Sequence, residues 1–254
     1  DATERGNTPK CFPGTRLARL ARLARWPDNP MGGSVQWISG WPGTGKTTVA
    51  LTMADYWATE GRLAASFFFS KSNEEASTTD RFPATIAYQL ESYFRNLGRT
   101  FTNSPLLSWP DVVRAIQATL PLSPAPIIVI DGLDECHDID RQGQLLREIL
   151  QSVRQLQPSV KFLISCGPER HLRSIFEEYN LPDSSCIRLG QSPEDNDDIR
   201  TFLRGSFDQI CQKRRKENTM SVMVGQWPSN EDIEKLVDMA SGQFIFAADV
   251  LNLV

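Results

Sequence analysis

The stretch SVQWISGWPGTGKTTVA, residues 34–50, decides how the rest of the chain is read. Its first part, Ser34 to Ser39, is a short apolar run that predicts a buried strand. Gly40, Gly45, Lys46 and Thr47 then meet the spacing G-x-x-x-x-G-K-T, and Val49, Met53 and Trp57 follow on one face of a helix. Strand, glycine-rich turn and helix in succession is the context in which that spacing builds a phosphate cradle. Gly43 and Gly45 accept backbone angles that other residues resist, so successive N–H groups converge on a β-phosphate. The helix N-terminus contributes the positive end of its dipole. Lys46 then reaches the β- and γ-phosphates, and the Thr47 hydroxyl is a ligand for magnesium.

Outward from this stretch the chain alternates between strand and helix signals. LAASFFF (63–69), PIIVID (126–131), KFLIS (161–165) and CIRL (186–189) read as further strands. Between them stand helical patterns: Ile86, Leu90, Phe94 and Leu97; Val112, Val113, Ile116 and Leu120; Leu145, Leu146, Ile149, Leu150 and Val153; and the run from Leu172 to Tyr179. Strands separated by helices predict an α/β fold, a three-layer sandwich with a five-stranded parallel sheet covered on both faces. After Gly190 only helices are expected, marked by Ile199, Phe202 and Leu203, by Ile233, Leu236, Val237 and Ala240, and by FIFAADVLNLV at the end. The reading divides the chain into a linker with a short helix (1–33), a nucleotide-binding domain (34–192) and a small all-helical domain (193–254), expected to be cut short. In TRLARLARLARW the apolar residues recur every third position, so Leu17, Leu20, Leu23 and Trp26 spiral around a helix and predict a packing or linker element.

A second motif complements the first. IIVIDGLDECHD (127–138) ends a buried strand at Asp131 and then offers Asp134 and Glu135, with Gly132 permitting the turn. A carboxylate at a strand end holds magnesium through water, the expected role of Asp131. Hydrolysis needs another carboxylate to orient the attacking water, and either Asp134 or Glu135 stands where it could do so. With Lys46 these two are the expected catalytic residues.

Composition narrows the partners. A net charge of −4 over 254 residues sets up no global positive field for nucleic acid or an anionic membrane. No apolar run approaches the roughly 20 residues that a membrane-spanning helix needs. Five scattered cysteines without a C-x-x-C pair, and two histidines, argue against a disulfide framework or zinc site and for reduced thiols in a cytoplasmic protein. The basic KRRK (213–216) reads as a solvated helix end.

Together GWPGTGKTT, DGLDE, RLAASFFFSK, FPATIAYQL and WPSNEDIEKLVDMASGQFIFAADV resemble a fungal NACHT domain, of the STAND class of P-loop NTPases and similar to nephrocystin-type N-terminal domains. The opening CFPGTR resembles the segment that precedes the nucleotide domain in that family. The resemblance implies ATP or ADP and Mg2+ as ligands. Gly43, Thr44, Gly45, Lys46, Thr47 and Thr48 would hold the phosphates, Thr47 and Asp131 the metal, and Pro228 would approach the adenine. It further implies a slow ATP-dependent switch that self-associates, within a longer protein carrying effector and sensing regions, or else a nucleotide-stabilised scaffold without turnover. One departure stands out. The family reads close to T-S-R-P-E after the fourth strand, whereas this chain has Cys166, Gly167, Pro168 and Glu169, with glycine in the arginine place. Lys71 likewise stands where the family more often has arginine, and Arg170 is a possible substitute for the missing charge.

Overall fold

A computed structural model describes the chain over residues 10–99, 108–216 and 227–254; residues 1–9 of the expected linker lie outside that description. Strands β1 (Val35–Gly40), β2 (Leu63–Phe68), β3 (Ile127–Asp131), β4 (Lys161–Cys166) and β5 (Cys186–Leu189) form one sheet in the order β2-β3-β4-β1-β5. Every neighbouring pair is parallel. The expected five-stranded parallel sheet is therefore present.

Side-chain alternation sends each strand into two cores. From β3, Ile128 and Ile130 join one apolar cluster while Ile127 and Val129 join the other. From β4, Phe162, Ile164 and Cys166 face the first cluster and Leu163 the second. A strand buried on both faces has no polar alternation, which is why PIIVID is unbroken in the sequence. Helices α3 (Phe82–Asn96), α4 (Trp109–Gln117), α5 (Ile139–Leu156) and α6 (Arg170–Glu178) supply the cover on the first face. On the second face lie α1 (Leu17–Arg25) and α2 (Lys46–Thr59), through Leu23, Val49, Met53 and Trp57.

The threefold repeat in α1 behaves as its drift predicts: Leu23 is fully buried while Leu17 faces solvent. Leu97 falls just past α3 and is half exposed, and Leu120 follows α4 in the turn, so neither belongs to the helix that its spacing suggested. A third cluster joins α7 (Pro193–Lys216), α8 (Asn230–Ala240) and α9 (Phe244–Asn252) through Ile199, Leu203, Phe207, Ile233, Val237, Ala240 and Ala247. Lys213–Lys216 form the last turn of α7. Among the described residues, no helix is long and apolar enough to cross a membrane.

The sheet order positions the site. β4 lies between β1 and β3, so the glycine loop after β1 and the acids after β3 stand at the same, carboxyl edge of the sheet with one strand between them. Ligands of open α/β sheets bind outside that edge.

Candidate functional site

The loop from Gly40 to Gly45 connects β1 directly to α2. Gly43 has φ +80° and Gly45 has φ +90°, the left-handed region that only glycine enters cheaply. Gly45 is the residue before α2, and no side chain caps that helix, so the first-turn N–H groups face the loop. The Lys46 ammonium donates to the Gly40 carbonyl at 2.8 Å, which keeps the charge over the loop. Thr44 is buried, and its hydroxyl donates to the Trp41 carbonyl at 2.8 Å, bracing the turn from within.

Beyond β3 the chain makes a turn of 3-10 helix, Leu133–Glu135, entered through Gly132. Asp131 is fully buried, and the Ser165 hydroxyl of β4 donates to its carboxylate. Asp134 and Glu135 face the cleft. The buried side chain of Gln142 holds their turn from behind, donating to the Cys136 carbonyl at 2.6 Å and the Asp134 carbonyl at 3.3 Å. Its own carbonyl then accepts from His171 Nε2 at 2.7 Å, so α5 and α6 both brace the acidic turn. The backbone N–H of Lys71, just beyond β2, donates to Glu135 at 3.4 Å.

These pieces border one cleft of about 500 Å3. Its phosphate-loop end is lined by Gly43, Gly45, Lys46, Thr47, Thr48, Lys71, Gly132, Asp134 and Glu135. The N-terminal segment, α7 and α9 line the rest of it through Lys10, Cys11, Phe12, Thr15, Arg16, Phe202, Phe244, Ile245 and Ala248. Residue-by-residue reading missed this second group. CFPGTR was legible as a familiar prelude, but nothing in its spacing assigned it to the cleft.

Aromatic packing joins these elements, with Phe12 edge-on to Phe202 at 5.4 Å and Phe202 against Phe244 at 5.7 Å. Burial pushes the Cys11 thiol up, which makes it an apolar wall rather than a nucleophile. Pro228, expected at the cleft, is not among its lining residues. It lines a separate small pocket with Arg204, Phe207, Asp208 and Trp227, because the α7–α8 packing turns Trp227 inward against Phe207 at 5.3 Å.

Arg16 ties the parts together. Its side chain is only 3% exposed, pairs with Asp195 and Asp198 of α7, donates to the Thr44 carbonyl at 2.8 Å, and lies over the Phe244 ring at 4.7 Å. Asp195 also accepts from the N–H groups of Gln191 and Ser192 at 3.1 and 3.0 Å. Burial by itself would raise this carboxyl, but the Arg16 hydrogen bond and charge and the turn's N–H groups hold it at about 2. Meanwhile the Ile245 N–H donates to the Gly43 carbonyl at 3.1 Å, placing α9 directly on the phosphate loop.

The donors present suit a hard cation shared with phosphate. Among the described residues, no three His, Cys, Asp or Glu side chains are grouped to hold a metal alone. Magnesium usually completes its shell with substrate phosphates and water and needs only one or two protein oxygens. Thr47 borders the cleft, and Asp134 Oδ1 is buried without a hydrogen-bond partner. Oxygen donors of this kind fit magnesium, with Asp131 set one layer deeper.

A parallel sheet with a glycine loop and Lys46 at one strand end, and carboxylates two strands away, defines a P-loop NTPase-like nucleotide-binding domain. The family described as Nephrocystin 3, N-terminal, matches residues 14–166, more than half of the chain, and the chain belongs to that family. Among solved structures it is similar to the Walker-type ATPase PABY2304 of Pyrococcus abyssi, at 13% identity and TM-score 0.57 over 95% of this chain and 68% of that one. Weaker likenesses are to the Aeropyrum pernix Orc1 protein in complex with DNA (19%, TM-score 0.49, 96% and 59% covered) and to domain III of the Thermotoga maritima replication initiation protein DnaA (14%, 0.47, 95% and 83%). No curated protein matches the chain in sequence.

Proposed function

We propose that the chain is an ATP- and ADP-binding switch module of the NACHT type, within the STAND class, with slow magnesium-dependent hydrolysis. One observation carries this reading. One cleft is lined both by the phosphate loop and by the N-terminal segment, α7 and α9, so a nucleotide would touch all three. The backbone from Gly43 to Thr48, with Lys46, holds the phosphates. Thr47 would hold magnesium directly and Asp131 through water, and the metal would neutralise charge on the terminal phosphates. Asp134 or Glu135 orients the attacking water, and Phe12, Phe202 and Phe244 enclose the base. Pro228 enters this reading as an adenine contact only through family resemblance.

Gly167 favours a second reading, a nucleotide-stabilised assembly module without significant turnover, because the arginine place carries no charge. Either module would work in the cytoplasm as part of a larger receptor-like protein that self-associates. Isothermal calorimetry tests the shared premise. The parent should bind ATP and ADP with magnesium dependence, and Lys46→Ala should lose most of that affinity; equal affinity in the variant would refute the phosphate assignment.

A further inference from the structure

We propose that Lys71 supplies a second positive charge, besides that of Lys46, at the terminal phosphate of a bound nucleoside triphosphate. The proposal rests on reading the cleft as a nucleotide site. At the end of β4 no cation is on offer. A Cβ on Gly167 would lie 2.6 Å from the carboxyl carbon of Glu169, so that carboxylate already fills the space beside the glycine. Glu169 Oε2 is buried without a hydrogen-bond partner, so an acid and not a base occupies this edge of the sheet. Arg170 opens α6 on the exposed surface and does not line the cleft.

Among the described residues, Lys10, Arg16, Lys46 and Lys71 are the basic residues that border the cleft. Lys10 belongs to the N-terminal segment and pairs with Asp55 of α2 at 2.7 Å. Arg16 is buried against Asp195 and Asp198. Lys46 sits over its own loop on the Gly40 carbonyl and is the cation already assigned to the phosphates. Lys71 remains, holding no ion pair among the described residues.

Its place suits the role. β2 lies on the far side of β3 from β1, so Lys71 stands beyond the acids as a phosphate chain crosses from the loop. Its backbone N–H bonds Glu135, which couples the position of the cation to a carboxylate placed for water. In hydrolysis a water oxygen forms the new bond to the γ-phosphorus. The β–γ bridging P–O bond breaks with its electron pair going to ADP, and the water proton leaves through the carboxylate to phosphate. An ammonium at the equatorial oxygens stabilises the charge of that transition state. It touches a group that ADP lacks, so it also separates ATP from ADP.

The test measures ATP and ADP affinity and single-turnover phosphate release in the parent, Lys71→Ala, Lys71→Arg and Arg170→Ala. Lys71→Ala should leave ADP affinity unchanged, weaken ATP by roughly 10-fold as for a lost charged hydrogen bond, and slow release by about 100-fold. Lys71→Arg should recover most of both, and Arg170→Ala should match the parent. Where parent turnover is too slow to follow, the affinity ratio decides alone. An unchanged ATP-to-ADP ratio in Lys71→Ala, or its loss in Arg170→Ala, overturns the assignment while the nucleotide site stands. A parent that binds neither nucleotide overturns both.

Discussion

Gly43 shows how one residue serves two partners. Its positive φ turns the loop's N–H groups inward, and its missing side chain lets α9 settle on the loop, where a Cβ would come within 3.0 Å of Ile245 Cβ. Replacing it with alanine adds left-handed strain of roughly 1–2 kcal/mol and forces Ile245 away. Gly43→Ala should therefore lower stability by about 2–3 kcal/mol in urea titration, and amide exchange over residues 244–252 should quicken. Unchanged protection there would mean that α9 does not depend on the loop contact. Gly167 differs in kind. Its crowding comes from the flexible end of Glu169, so a side chain there displaces a carboxylate instead of a helix.

Among the elements, α7 gathers charge at its start, with Glu194 and Asp195 in its first turn. Asp195 in its first turn reaches back to the Ser192 N–H at 3.0 Å and also binds Arg19 at 3.0 Å. An acidic side chain reaching back in this way satisfies N–H groups that the helix leaves open. The carboxyl is held at about 2 in the folded protein against an ordinary 3.8. A depressed folded value means that the contribution is complete above pH 3.8 and is lost as pH falls through about 2. Between pH 5 and 2 the parent should lose about 2 kcal/mol through this group. Asp195→Asn should be about 3 kcal/mol less stable at neutral pH, since it leaves buried arginines under-paired, and its stability should fall less steeply over that acid window. Equal slopes in denaturant titrations at stepped pH would show that Asp195 is not the group responsible.

At the scale of the molecule, the cleft is where the N-terminal segment, the sheet and the helical part meet. The N-terminal segment docks by Phe12 against Phe202, the sheet brings the loop and the acids, and α9 closes on Gly43. A ligand in that position should stabilise all three parts together. Nucleotide with magnesium at about 100 times its dissociation constant should add about 2.7 kcal/mol, a rise of roughly 5–10 °C in melting temperature for a chain of this length. Proteolysis should slow at the junctions on both sides of the sheet domain. Protection confined to the sheet domain would mean that the helical part does not sense the ligand.

Sheet and loop were legible in the residues because their causes are local. An unbroken apolar run reads as a doubly buried strand, and the spacing of Gly40, Gly45, Lys46 and Thr47 reads as a turn into a helix. Asp131, Asp134 and Glu135 were legible for the same reason, each tied to a strand end by one or two residues. Strand order was not, since which strand lies between β1 and β3 depends on how the crossovers pack. The sequence alone determined the strands and helices and the places of the glycine loop and the acids at the strand ends. Tertiary structure alone decided the other half of the cleft: that Arg16 reaches 28 residues along the chain to the Thr44 carbonyl and 179 to Asp195, that α9 sits on Gly43, and that Pro228 lies in another pocket. Those contacts join residues remote in sequence through burial and charge, and no local periodicity encodes them.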